Sequence, residues 1–76
     1  MQVRLLAFAQ TQDQLGFRER AVECAEEESP RTILARLAPG FEAAGLRVAV
    51  DGEYHEWDAP IGAASELALI PPVSGG

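Results

Sequence analysis

The chemistry open to this chain is concentrated in its last two residues, Gly75 and Gly76, where a terminal carboxylate stands with no side chain beside it. Glycine has no Cβ, so such an end fits a narrow channel and leaves its carbonyl carbon open from either face. The group is an acyl donor that needs activation. Ahead of it run Leu69, Ile70, Pro71, Pro72, Val73 and Ser74, an apolar stretch meeting two residues that cannot donate to a sheet ladder. Regular pairing is therefore expected to stop at Ile70, and residues 71–76, at roughly 3.3 Å each, reach about 20 Å into a partner. A frayed terminus would also account for two glycines, but it gives no reason for a stiff diproline base.

No second reactive centre can be assembled from the rest. His55 is the only histidine and Cys24 the only cysteine, and neither has metal-ligand spacing around it. His55 reads as a strand surface residue and Cys24 as a small buried thiol. One cysteine excludes an internal disulfide. Gly16, Gly40 and Gly45 are isolated turn glycines rather than a phosphate loop. No nucleophile is paired with a base, so the body is expected to be inert, with no bound cofactor and no metal. The protein is then either a carrier through its terminus or a pure binder.

Seventy-six residues, 47% of them apolar, make one small globular domain, and no apolar run approaches the roughly 20 residues a bilayer requires. Without a basic-then-apolar leader, the expected location is cytoplasmic. Twelve acidic residues against six arginines and no lysine give a net charge of −6. Such a chain repels phosphate backbones, which argues against nucleic acid and favours partners with basic surfaces. The missing lysines remove every side-chain amine that an activated carboxylate could attack within its own chain.

The elements that must position this terminus follow from hydrophobic period and turn chemistry. Residues 2–9 alternate Val3, Leu5 and Ala7 against Arg4, Leu6 and Phe8, a strand with one buried and one partly covered face. Residues 10–16 read as a polar turn, and residues 19–25 as a second strand paired antiparallel with the first. Glu26, Glu27 and Glu28 form a solvated acidic turn before Ser29 and Pro30, an N-cap followed by proline at the first helical position. The helix spans residues 30–38, burying Ile33, Leu34 and Leu37 while Arg31 and Arg36 face water. Pro39 and Gly40 stop it, and Phe41 plugs the core. Residues 46–50 and 53–57 are strands joined by the Asp51-Gly52 hairpin turn; residues 66–70 form the last strand.

Two strands, a helix and three strands in this length describe an α+β fold of the β-grasp (ubiquitin-like) type, a mixed sheet of about five strands with one main helix, in the order ββαβββ. Its first and last strands pair centrally. The β-grasp domain is placed at residues 1–70 and an extended tail at 71–76. Phe8, Tyr54 and Ile70 fall on strand faces not assigned to the core and could form an apolar docking patch ringed by acidic side chains at the base of the tail.

The ending Leu69-Ile70-Pro71-Pro72-Val73-Ser74-Gly75-Gly76 and the opening Val3-Arg4-Leu5-Leu6-Ala7-Phe8-Ala9 together resemble the small subunit of molybdopterin synthase, a ubiquitin-like sulfur carrier. Val50-Asp51-Gly52, Trp57-Asp58 and Pro60-Ile61 fall in the same register. Gln12-Asp13 and Ala64-Ser65 depart from the family's usual Arg-Glu and Gly-Asp. The resemblance implies that a ubiquitin-activating-type adenylyltransferase uses ATP to adenylate Gly76, and that a persulfide donor converts it to a thiocarboxylate. The tail (Pro71, Pro72, Val73, Ser74, Gly75) would then insert into the large catalytic subunit of molybdopterin synthase, within a heterotetramer, and deliver sulfur to cyclic pyranopterin monophosphate. It also implies that Phe8, Tyr54 and Ile70 dock on that partner, Ile70 being a smaller anchor than the family's usual aromatic residue. The chain itself would not be an enzyme.

Three other functions fit the same residues: a sulfur carrier for thiamine or tRNA thiolation, a ubiquitin-like modifier conjugated through Gly76, and a β-grasp interaction module with a passive tail.

Overall fold

The computed structural model describes residues 1–72. Its elements are β1 (Gln2–Ala7), α1 (Gln10–Leu15), β2 (Glu19–Glu23), α2 (Pro30–Leu37), β3 (Arg47–Val50), β4 (Glu53–His55) and β5 (Glu66–Ile70). They form one five-stranded mixed sheet in the order β2-β1-β5-β3-β4. The central pair, β1 and β5, is parallel, with Arg4 opposite Glu66 and Ala7 opposite Leu69. All other pairs are antiparallel. This is the β-grasp arrangement, with two helices rather than one.

Period-two alternation puts one face of each strand into the core. Val3, Leu5 and Ala7 of β1, Leu67 and Leu69 of β5 and Val48 of β3 are almost wholly buried. Ile33 and Leu34 of α2 are buried against the same core, while Leu37, Phe41 and Trp57 are only partly covered at its edge. The α2 N-terminus is built as its sequence dictates. Ser29 is extended, its hydroxyl accepts from the Thr32 N–H at 3.2 Å, and Pro30 occupies the first turn.

The acidic turn does more than face solvent. Glu28 is hydrogen-bonded to Arg36, whose guanidinium also donates to the Glu23 carbonyl at 2.6 Å, joining α2 to β2. The Arg36 bond, helped by the Ala25 N–H, holds the Glu28 carboxyl below its usual range. Backbone carbonyls of Glu28 and Glu26 accept from Ile61 and Gly62, both at 2.9 Å, so the same turn anchors the loop before β5. At the other end of that loop, one Asp51 carboxylate oxygen accepts from the Ser65 and Glu66 N–H groups at 2.9 Å each. Asp51 and Gly52 have φ of 50° and 85°, the left-handed geometry that an Asp-Gly hairpin turn requires.

Residues 10–16 are not a simple turn. They form the six-residue helix α1, closed by Gly16 at φ 84°, whose N–H reaches the Gln12 carbonyl at 2.8 Å. Its anchor is Thr11, the one fully buried polar residue among those described, whose hydroxyl accepts from the Phe8 N–H at 2.8 Å and donates to the Phe8 carbonyl. With Leu15 as its only large apolar residue, so short a helix carries no periodic signal. Three strands also end earlier than their sequence suggests. β1 stops at Ala7 because the chain turns into α1, β2 stops at Glu23 before the acidic turn, and β4 stops at His55, having only β3 to pair with.

Leu67 is fully buried at the centre of the sheet. Leu67→Ala is expected to cost about 2–5 kcal/mol, a large part of the stability of so small a domain, and to lower the urea midpoint accordingly. Arg4→Gln, on the open face, is expected to change stability by less than about 0.5 kcal/mol.

Candidate functional site

Among the described residues no helix or strand packs on the face of the sheet opposite α2, and strand register decides which side chains it presents. Leu6 pairs with Ala68, Ala68 with Ala49, and Ala49 with Tyr54, a transverse apolar row across β1, β5, β3 and β4. One step closer to the end of β5, Ile70 pairs with Arg47. Phe8 follows Ala7, the partner of Leu69, and so flanks Ile70 on its other side. At about 4.8 Å per strand, the three spacings from β1 to β4 make this patch roughly 14 Å wide at the backbone.

Tyr54 is 62% exposed and Phe8 45%, two of the three large hydrophobic side chains most exposed to solvent among the described residues. Ile70 and Leu6 are half-buried. Phe8, Tyr54 and Ile70 therefore share one face, with Ile70 between the other two. Leu6 belongs with them. Its place in the Arg4, Leu6, Phe8 alternation was the available signal.

The charge around this patch differs from the acidic ring expected from composition. The Arg47 guanidinium lies 3.8 Å from the centroid of the Tyr54 ring, a cation–π contact that places positive charge beside Ile70. Arg4 and Glu66 face each other at 3.5 Å, and Glu19 is opposite Leu6. The rim is mixed because net charge says nothing of its distribution. Most of the excess acid lies elsewhere, in the turn at Glu26–Glu28 and near the β3–β4 hairpin.

Phe8 is held rather than loosely displayed. It lies just beyond β1, and both its backbone polar groups are bonded to Thr11, while Gln12 donates to the Ala7 carbonyl at 3.2 Å. Ala9 then takes φ 52°, a strained value for a residue with a Cβ, to turn the chain into α1. The Gln12 departure noted in the sequence thus serves the junction of β1 and α1.

β5 ends at Ile70, as two following prolines require, and Pro71 is half-buried while Pro72 is exposed. Val73, Ser74, Gly75 and Gly76 lie outside the described residues. Cys24 is 8% exposed, and its thiol pKa is raised first by burial and then by Glu28. His55 differs from its expected surface position: it is half-buried on β4 opposite Val48, with Nε2 hydrogen-bonded to the Ala59 carbonyl at 3.0 Å. Among the described residues no three His, Cys, Asp or Glu side chains are grouped to hold a metal ion, and no helix is long and apolar enough to cross a membrane. A cleft lined by Leu34, Phe41 and Trp57 lies on the α2 side of the sheet, away from the patch.

A five-stranded mixed sheet with parallel central strands and α2 across one face defines a ubiquitin-like β-grasp protein. The chain belongs to the ThiS family, whose model matches residues 5–76. This is a family of small ubiquitin-like sulfur carriers and modifiers, which are generally non-catalytic. Among solved structures it is similar to SAMP1 from Haloferax volcanii, with a TM-score of 0.76 at 25% identity over 100% of both chains. The fold is also that of molybdopterin converting factor subunit 1 from Pyrococcus furiosus, with a TM-score of 0.74 at 22% identity over 96% of this chain and 99% of that one. Small archaeal modifier protein 1 from Methanosarcina acetivorans matches with a TM-score of 0.69 at 18% identity, covering 99% and 96%.

Thr11→Val keeps the side-chain shape and removes the hydroxyl that satisfies the Phe8 amide. It is expected to cost about 1–3 kcal/mol and to speed hydrogen exchange at that amide selectively, read by NMR.

Proposed function

We propose that the protein is the sulfur-carrier subunit of a molybdopterin synthase. The observation that carries this reading is the end of β5: the strand stops at Ile70 beside an exposed apolar face, and two prolines then lead the chain toward Gly76. Family membership, the Pro-Pro-Val-Ser-Gly-Gly ending and the likeness to the Pyrococcus protein support it.

In this reading a Gly76 carboxylate oxygen attacks the α-phosphorus of ATP in the activating enzyme, and pyrophosphate leaves. The terminal sulfur of a persulfide donor attacks the acyl carbon, AMP departs, and a thiol cleaves the sulfur–sulfur bond to release the thiocarboxylate. That sulfur is anionic near neutral pH and more nucleophilic than a carboxylate oxygen. Inside the large subunit it bonds to a side-chain carbon of the cyclic pyranopterin monophosphate as the carbon–oxygen bond there breaks, and water then cleaves the resulting thioester, leaving the sulfur on the product and returning Gly76 to a carboxylate. The body contributes docking through Phe8, Tyr54 and Ile70, while Pro71 and Pro72 reduce the conformational freedom lost when Val73, Ser74, Gly75 and Gly76 are threaded. Sulfur delivery to thiamine or tRNA would use the same terminus. The likeness to SAMP1 favours, as a second reading, a modifier joined through Gly76 to amines of other proteins.

Incubation with an activating enzyme, ATP and a persulfide donor is expected to exchange one oxygen for sulfur, read by intact mass. Deletion of Gly76 should leave the fold intact and abolish that change. A Gly76-deleted chain that still supported dithiolene formation with the large subunit would overturn the carrier reading, and ladders of heavier target proteins would select the modifier. Tyr54→Ser, Phe8→Ser and Ile70→Ser should each weaken binding to the large subunit by about 1 kcal/mol or more, measured by calorimetry.

A further inference from the structure

A protein that carries an activated acyl group is exposed to attack by its own nucleophiles and by those of other copies. The sequence contains six basic side chains and all of them are arginine: Arg4, Arg18, Arg20, Arg31, Arg36 and Arg47. Guanidinium stays protonated and does not acylate under conditions where a lysine amine does. The single contact of Arg4 with Glu66 at 3.5 Å is one that the point charge of a lysine would also make, whereas Arg31 holds Asp58 through two nitrogens, as a guanidinium alone can. Positive charge is thus supplied without an attacking amine.

The remaining strong nucleophiles lie at the wrong end of the sheet. The Met1 amine donates to the Cys24 carbonyl at 2.8 Å and stands 3.6 Å from Glu23, while the Cys24 N–H donates to the Met1 carbonyl at 2.8 Å. The amine is therefore paired, and the Cys24 thiol beside it is buried. Because β1 and β5 are parallel, Met1 marks the start of β1 and Ile70 the far end of β5. Seven residue steps of strand, from the level of Met1 to that of Ile70, span about 23 Å, whereas residues 71–76 reach at most about 22 Å fully extended, and β5 delivers them heading away from Met1. His55 is nearer the tail end, but its Nε2 is bonded to the Ala59 carbonyl and it lies on the α2 side. Hydroxyl groups without a base are weak nucleophiles at neutral pH.

We propose that the chain is a donor of its C-terminal acyl group and never an acceptor of it, so that transfer from Gly76 stops at one copy per acceptor amine. This rests on the carrier or modifier reading of Gly76, and it excludes circular chains and polymers of this protein as products. In the reaction excluded, an amine nitrogen attacks the acyl carbon, the bond to the leaving group breaks, and the departing group takes the amine proton.

The test uses the full chain prepared as a C-terminal thioester of mercaptoethanesulfonate, incubated alone near pH 8 and followed by intact mass. The expected product is the free acid, with no circle one water lighter and no amide-linked dimer. Arg47→Lys places an amine beside the base of the tail, and Arg18→Lys a second one near Ala7. Both variants are expected to divert thioester into amide products with loss of the thiol. Circles or dimers from the unaltered chain, formed as fast as its hydrolysis, would overturn the proposal. So would lysine variants that hydrolyse without forming amide, because the absence of lysine would then have no consequence. Since no activating enzyme or sulfur donor is used, either failure leaves the carrier reading to its own test.

Discussion

The parallel pairing of β1 with β5 at the centre of the sheet is the constraint on which the rest depends. Two strands distant in sequence can lie parallel only if the intervening chain crosses over the sheet, and here that chain supplies α2 and both edge strands. Leu5, Leu67 and Leu69 meet in the pair and are wholly buried, so it also lies at the centre of the apolar core. Its direction fixes where things happen: β5 runs away from Met1, and the residues after Ile70 leave from the end where Phe8 and Arg47 stand.

The same pair divides the molecule into two faces with different tasks. One carries Val3, Leu5, Val48, Leu67 and Leu69 against α2 and supplies stability. The other carries Leu6, Ala68, Ala49 and Tyr54 as a transverse row in which the two alanines are buried between larger neighbours, with Ile70 and Phe8 beside it. A one-residue slip in β5 would exchange the two sets, so burial of the first enforces display of the second. The Asp51 carboxylate, holding the Ser65 and Glu66 N–H groups, adds a polar lock at the start of that strand.

Much of this was legible in the sequence because the informative signals are local. Alternation in β1, the Ser29-Pro30 start of α2, the Asp51-Gly52 turn and the two prolines after Ile70 each name their own structure. The parts that were not legible depend on contacts between distant residues. Helix α1 rests on one buried threonine hydroxyl folded back on Phe8, with too few apolar residues to show a period. The stacking of Arg47 on Tyr54 needs the β3–β4 register, and the charge balance, twelve acidic residues against six arginines, pointed to an acidic rim instead. The inward turn of His55 likewise follows from its pairing with Val48, which strand counting alone does not give.

The central claim is that the fold rests on the β1–β5 pair and is complete at Ile70, where β5 ends. Native-state hydrogen exchange on the full chain and on a chain ending at Ile70 measures this directly. The account expects the amides of Leu5, Leu67 and Leu69 to be among the slowest to exchange, with the same protection in both chains. Loss of protection along β5 in the shortened chain would contradict it, showing that the extension is part of the fold.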